Sequence, residues 1–460
     1  AHAGELVLAR DRFGKKPLLY CQNGRRVSFA SDMDALLALE DNPGDLDPNA
    51  LGLLFSLRYI PDPHAIFSRV RKLPPGTLAR FNDDGLRLRR WYHPTKMQPP
   101  RYTSEIEAQH ELRQRLDAAT RERLVADVPV GLCLSGGIDS AIIAASLVAQ
   151  GHHVRSFTIG VRGASAYYEE RPEAREVARY LHLDHTEVEI DSTDAGKALS
   201  AVIEGFDEPF ADSSGIPTYL LSREMRKHVT VALSGDGADE VFGGYRKYQG
   251  ELQAERYRRL PIILRRHVLE PAIAALPESK DYPWLERARR LRRFCAHAGK
   301  EATDRQAGWM RELSSGEIKT FLIAPQDDNY DTPEKLVAAL HEEAMDDDPI
   351  NRMLFADLRI VLAGDILVKV DRMSMANGLE IRCPMLDQRV VECAAAMPGA
   401  FKLVAGSGKR ILRQAFDDRL PNDVFRRPKK GFEVPIAHWL TNDLADMTRA
   451  AIDPGRLRAQ

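Results

Sequence analysis

Residues 128–149, VPVGLCLSGGIDSAIIAASLVA, form an apolar run that breaks at Ser135-Gly136-Gly137-Ile138-Asp139-Ser140 and resumes at helical spacing. Val128, Val130, Leu132 and Leu134, with Cys133 as a small apolar residue, read as a buried strand, and the residues after the break read as a helix. A strand, two glycines and a helix start leave backbone N–H groups pointing outward, which makes a seat for an anion. Gly136 and Gly137 would let a phosphate lie against the main chain, Ser135 and Ser140 would add hydroxyl donors, and Asp139 offers a carboxylate suited to Mg2+. Without a ligand, the same residues describe a glycine-rich turn with a Ser/Asp cap.

From this stretch onward strand and helix alternate, which implies a parallel sheet with right-handed crossovers. Further strands are expected at 154–159, 186–190 and 229–233, and helices at 172–182, 195–204 and 216–228. The last strand ends in a second break, Ser234-Gly235-Asp236-Gly237-Ala238-Asp239-Glu240. Two glycine-bearing loops leaving the carboxyl ends of parallel strands would meet on one sheet edge, where open α/β sheets bind ligands. Upstream, Ser104 caps an expected helix over 105–127, with Ile106, Leu112, Leu116 and Leu124 on one side. Residues 94–103 read as a proline-rich linker, and residues 1–93 as a β-rich segment with a hairpin pairing 17–21 and 26–30 around Asn23 and Gly24. After Tyr245, periodic segments suggest a helical lobe packed on the sheet, so that 104–460 forms one α/β unit.

With 460 residues, 44% hydrophobic and 29% charged, the composition is globular, and a net charge of -2 argues against nucleic acid or an anionic membrane as partner. Five scattered cysteines lack metal spacing and read as reduced thiols, no apolar run reaches the length of a span, and the opening residues lack a signal pattern; a cytoplasmic location is expected. A start at Ala1 suggests a processed or truncated chain. The arginine-dense stretch 287–293 reads as solvated helix face. Common nucleotide signatures do not fit. Gly406-Ser407-Gly408-Lys409 lacks the earlier glycine of a P-loop and has Arg410 where Ser or Thr belongs, and the second break lacks the third glycine of a dinucleotide fingerprint.

SGGIDS at 135–140 resembles the PP-loop of ATP pyrophosphatases, which split ATP to AMP and pyrophosphate. Its companions are similar to motifs of glutamine-dependent asparagine synthetases: SGDGADEVFGGY at 234–245, DEPFADSS at 207–214, EIRCPMLD at 380–387, KRILR at 409–413 and RPKKGF at 427–432. The resemblance implies an α/β fold, a parallel PP-loop sheet of the adenine nucleotide alpha hydrolase type with a helical carboxyl-terminal lobe, preceded by a partial α+β glutaminase segment of the Ntn type. It implies ATP at Leu134, Ser135, Gly136, Gly137, Asp139, Ser140, Ile159, Ser234 and Gly235, and Mg2+ on Asp139 and Asp239. Asp236 and Lys409 would serve adenylate formation, and Asp207, Asp212, Ser213 and Arg382 would face the amino-acid substrate. Each has a plainer reading: Asp239 and Glu240 as first-turn acids, Arg382 and Asp387 as a structural pair, and the basic run Arg426, Arg427, Lys429 and Lys430 as solvated rather than covering pyrophosphate. Lys409 at a helix start opposes the helix dipole, which points to an anionic neighbour.

In the same family the amino-terminal domain uses an N-terminal cysteine as nucleophile. LARDRFGKKPL at 8–18, FAS at 29–31 and LPPG at 73–76 resemble the latter part of that domain, but residue 1 is Ala and Cys21 is interior, so no glutaminase activity is expected of this chain. The implied activity is that of a carbon–nitrogen ligase, joining L-aspartate and ammonia with ATP to give L-asparagine, AMP and pyrophosphate. Alternatives are a related amidotransferase or cyclase acting on another carboxylate (a sugar acid, or substrates of the β-lactam or lasso-peptide type) and a nucleotide-binding protein without turnover. The expected partners are a small-molecule carboxylate and ammonia, with a homodimer left open.

Overall fold

The computed structural model describes residues 4–94, 102–163, 165, 167–277, 283–322, 330–344, 346–427, 430–453 and 455. Most of the expected linker, together with Ala1 and Lys429, lies outside the described residues. The first ninety residues supply β1 (Leu6–Ala9), β2 (Leu19–Asn23), β3 (Arg26–Ala30), β4 (Val70–Lys72), β5 (Thr77–Asn82) and β6 (Gly85–Arg90), in two antiparallel sheets ordered β1-β5-β6 and β3-β2-β4. The expected hairpin is β2–β3. Asn23 pairs with Arg26 across a turn in which Gly24 has φ of 61°, a conformation glycine adopts without strain. Leu8, Tyr20, Leu73, Ala79 and Phe81 are buried together in one small core of this region, and Leu19, Cys21, Leu36 and Val70 belong to another.

The second sheet region is parallel and five-stranded: β7 (Val130–Cys133), β8 (Arg155–Val161), β9 (His185–Ile190), β10 (Val231–Leu233) and β11 (Glu380–Arg382), ordered β11-β10-β7-β8-β9. The chain builds outward from β7 to β9, then returns to the other side of β7 for β10. The carboxyl ends of β7 and β10 therefore flank the point where strand order reverses, which opens a crevice there. Both glycine-bearing breaks leave these two strands. One core, including Leu112, Leu116, Leu132, Ile142 and Ile143, packs helix Ile138–Ala149 against the sheet and helix Glu105–Glu122 against that helix. A separate core of Phe157, Ile159, Leu220 and Met225 seats helix Gly215–Met225.

Some expectations shift. The first strand begins at Val130, and Val128 is exposed ahead of it. Ser104 accepts from Glu107 N as the expected cap, but its helix ends at Glu122, and the buried stripe runs Ala108, Leu112, Leu116 and Ala119. Ile106, in the first turn, is 77% exposed because the buried i, i+4 row, which packs on neighbouring helices, starts two residues later. Beyond Tyr245 the regular elements among the described residues are helices apart from β11, a three-residue strand at the start of the 380–387 motif. No helix among the described residues is long and apolar enough to cross a membrane, and the five cysteines are unpaired.

Candidate active site

The loop after β7 is shaped by its own serines. Leu134 N donates to Phe157 O at 2.8 Å, prolonging the contact with β8. Ser140 Oγ accepts from Ser135 N at 3.0 Å, Ser135 Oγ accepts from Gly137 N at 3.1 Å, and the two hydroxyls stand 3.0 Å apart. Gly137 is the N-cap of helix Ile138–Ala149 and has no side chain to offer, so the positive end of that helix faces the crevice uncapped by a side chain. The loop after β10 lies directly against it. A Cβ on Gly235 would stand 2.8 Å from Asp139 Cβ and 2.9 Å from Ser140 N, a separation only glycine permits.

Lys409 closes the cluster. Its Nζ donates to Asp139 Oδ1 and Oδ2 at 2.7 and 2.6 Å and forms an ion pair with Asp239 Oδ1 at 2.6 Å, with 3% of the residue exposed. Lys409 is the N-cap of helix Arg410–Ala415, with φ of 54°. The dipole mismatch seen in the sequence is offset by two carboxylates of the protein itself. Gly244, which sequence reasoning did not single out, makes the approach possible: a Cβ there would overlap the Asp239 carboxylate and Lys409 Cε. The signal was present in the motif as the second of two adjacent glycines.

Asp139 and Asp239 thus converge on one cation, with two negative charges against one positive. A donor set of two carboxylates suits Mg2+, which keeps several waters and takes its remaining ligands from substrate phosphates. Among the described residues no group of three or more His, Cys, Asp or Glu could hold a metal, and the Asp139 and Asp239 carboxylates share the Lys409 ammonium between them.

Asp236 accepts from Ser234 Oγ at 2.7 Å, and Ser234 N donates to Arg382 O at 3.0 Å, which ties the loop to β11. Beside it, burial and then the Asp236 charge push the Cys383 thiol up to about 11, so that thiol is a packing group at neutral pH. Glu240, in the first turn of helix Ala238–Phe242, is 1% exposed and accepts from Tyr245 Oη at 2.5 Å; burial and then the Asp239 charge raise its pKa. Ile159 lines a small cavity with Gly160, Tyr168 and Phe432 at the carboxyl end of β8. Of the basic run, Arg427 donates to Gly136 O of the first loop at 3.2 Å and to Glu173 O at 3.1 Å, and Lys430 pairs with Glu173 at 2.9 Å.

The four residues expected to face the amino-acid substrate are not brought together. Arg382 donates to Arg123 O and Val125 O at 2.9 and 2.8 Å and pairs with Glu380, which fixes the segment feeding β7. Its expected pairing with Asp387 is absent; Asp387 binds Arg123 and Arg389, each at 2.9 Å. Asp207 pairs with Arg372 and accepts from Met33 N at 3.1 Å, contacts that face the amino-terminal sheets. Burial outweighs Arg372 and raises Asp207 to about 6. Ser213 contributes its carbonyl to Ile216 N at 3.3 Å, as a helix-entry residue. Asp212 accepts from Lys369 Nζ at 2.9 Å and from the Ser214 hydroxyl at 2.7 Å.

The family model described as "Asparagine synthase" matches residues 111–460, and that described as "Glutamine amidotransferase domain" matches residues 1–92. The chain is 34% identical to asparagine synthetase (glutamine-hydrolyzing) 1 of Bacillus subtilis, over 98% of this chain and 69% of that protein. It is 26% identical to asparagine synthetase (glutamine-hydrolyzing) 3 of the same organism, over 93% of this chain and 64% of that protein. It spans about two thirds of the length of the curated relatives it matches.

Proposed function

The chain belongs to the asparagine synthase family, and from that premise we propose that it joins L-aspartate to ammonia with ATP, giving L-asparagine, AMP and pyrophosphate by way of an acyl-adenylate. A carboxylate does not react with ammonia at neutral pH, so its oxygen must first be attached to a better leaving group. Attack on the α-phosphorus forms an O–P bond and releases pyrophosphate; the difficulty is the crowding of negative oxygens. The uncapped start of helix Ile138–Ala149 lowers that cost through its N–H groups, and the Lys409 ammonium holds a positive charge at the meeting point of both loops. Mg2+ on Asp139 and Asp239 would offset charge on the departing pyrophosphate. Arg427, by donating to Gly136 O, would hold the first loop in place against the phosphates.

The observation that carries this reading is the convergence of Asp139 and Asp239 on Lys409 at the strand-order reversal. Exchange of labelled pyrophosphate into ATP, run with a panel of carboxylic acids, tests it. Exchange with aspartate alone supports the proposal. Exchange with a different acid reassigns the substrate, and exchange with none leaves a nucleotide-binding protein without turnover.

A further inference from the structure

The loop between β1 and β2 is braced from within. Asp11 Oδ1 accepts from Phe13 N and Gly14 N, each at 3.0 Å, Asp11 Oδ2 accepts from Lys16 N at 3.1 Å, and Arg10 Nε donates to Lys16 O at 2.9 Å. A loop held in this way aims its side chains. Phe13 is buried in the core that also contains Leu233, Ala238 and Leu386, so the amino-terminal region reaches into the packing of the parallel sheet. Lys15 Nζ lies 5.8 Å from the centroid of the Phe13 ring and donates to Leu386 O at 3.1 Å. A charged donor restrains a carbonyl more firmly than a neutral one does.

Leu386 ends the turn Pro384–Leu386, which follows β11 and meets the loop after β10 on both sides of Asp236. Ahead of Asp236, Ser234 Oγ and Cys383 Sγ stand 3.5 Å apart. After Asp236, the Leu386 side chain fills the space over Gly237: a Cβ there would overlap Leu386 Cγ and Cδ2. Gly237 has φ of 92° and is the N-cap of helix Ala238–Phe242, whose first turn carries Asp239. Leu386 N donates to Cys383 O at 3.1 Å, which joins the two contacts into one turn. A displacement of Leu386 is therefore passed by direct contact to the backbone that carries Asp236 and Asp239.

We propose that Lys15 is a positioning residue of the synthetase site, supplied by the amino-terminal region. By holding the Leu386 carbonyl it sets the turn that seats Gly237, and with it the Asp236 and Asp239 carboxylates. This role rests on the function proposed above, which gives those two acids their part at the phosphates. Activation of the acid then needs the amino-terminal region in place, although that step consumes no ammonia.

Lys15→Met keeps the length of the side chain and removes the donor, and Lys15→Arg keeps a cationic donor. Two measurements follow both variants: acid-dependent pyrophosphate exchange at varied ATP, and amide hydrogen exchange by mass spectrometry without substrates. For Lys15→Met the maximal pyrophosphate exchange should fall about tenfold with the KM for ATP within about threefold, because the loop after β7 keeps its own bracing. Its amides at 234–240 should exchange at least about tenfold faster, with those at 135–140 unchanged. Lys15→Arg should bring both back to within about threefold of the unmodified protein. Unaltered amide exchange at 234–240, a uniform rise across the chain, or an arginine variant no better than the methionine one overturns the role. Absence of pyrophosphate exchange in the unmodified protein overturns the function proposed above, and the amide measurement then still decides whether Lys15 seats the loop. Should Lys15→Met not fold, amide exchange of the unmodified protein in low denaturant carries the test. Residues 10–18 and 234–240 open in one transition if the amino-terminal region holds the loop, and protection of 234–240 that survives the opening of 10–18 overturns it.

Discussion

Gly244 carries no side chain because Asp239 and Lys409 occupy the space a Cβ would need. Gly244→Ala is expected to push Lys409 away from the two carboxylates, to cost about 1–3 kcal/mol by overpacking, and to abolish pyrophosphate exchange; denaturant unfolding and the exchange assay check both. Asp139→Asn leaves Lys409 its pair with Asp239, so the fold should survive while exchange falls on the order of 10²-fold, the scale of losing one charge-stabilising group. A fully active variant would contradict a role for Asp139 at the phosphates. The sequence alone marked Lys409 as a cation on the wrong end of a helix, and hence as a residue seeking an anion. That the anions are Asp139 and Asp239, 270 residues away in the first case, is a property of the sheet order and has no local signal.

At the scale of elements, β11 shows what pattern reading misses. Three residues are too few to display a period, and Glu380, Ile381 and Arg382 are each only half-buried, so neither alternation nor an apolar run betrays the strand. The longer strands and their crossover helices were legible because they carry long apolar runs: β8 is buried from Ser156 to Val161 and helix Ile138–Ala149 from Ser140 to Leu147. Asp387 anchors the element after β11. It accepts from Arg389 N at 2.9 Å as the N-cap of helix Gln388–Ala395 and pairs with Arg123. Burial alone would raise its pKa, but Arg389 and Arg123 outweigh it and hold the carboxyl at about 2. Because the folded value lies below the unfolded one, the stabilisation is present above about pH 4 and is lost as pH falls toward 2. Asp387→Ala should cost about 1–2 kcal/mol at neutral pH and flatten the stability profile between those limits, as followed by denaturant midpoints; an unchanged profile would show that Asp387 is not a source of the acid sensitivity.

Across the whole molecule, the segment 207–212 serves as a seam. Glu208 accepts from Ile66 N at 2.6 Å and pairs with Lys72, Ala211 N donates to Arg58 O at 2.8 Å, and Asp207 accepts from Met33 N. Lys16 pairs with Asp371 at 2.5 Å, and Arg359 donates to Pro75 O at 3.0 Å along the same contact. Read locally, two acids beside Pro209 suggest a substrate loop; that most of them face the amino-terminal sheets depends on contacts more than a hundred residues apart, to which no periodicity is sensitive. Glu208→Ala should leave pyrophosphate exchange within about threefold while making the two regions unfold less cooperatively, because a buried N–H and an ammonium lose their partner; limited proteolysis and calorimetry report on that separation. Which bond of ATP is broken separates adenylation from phosphorylation of the acid. The nucleotide products of a reaction containing the protein, Mg2+, ATP, aspartate and ammonia can be resolved by chromatography: AMP and pyrophosphate in equal amounts, formed only when both aspartate and ammonia are present, are the expected result, and ADP with orthophosphate would contradict it.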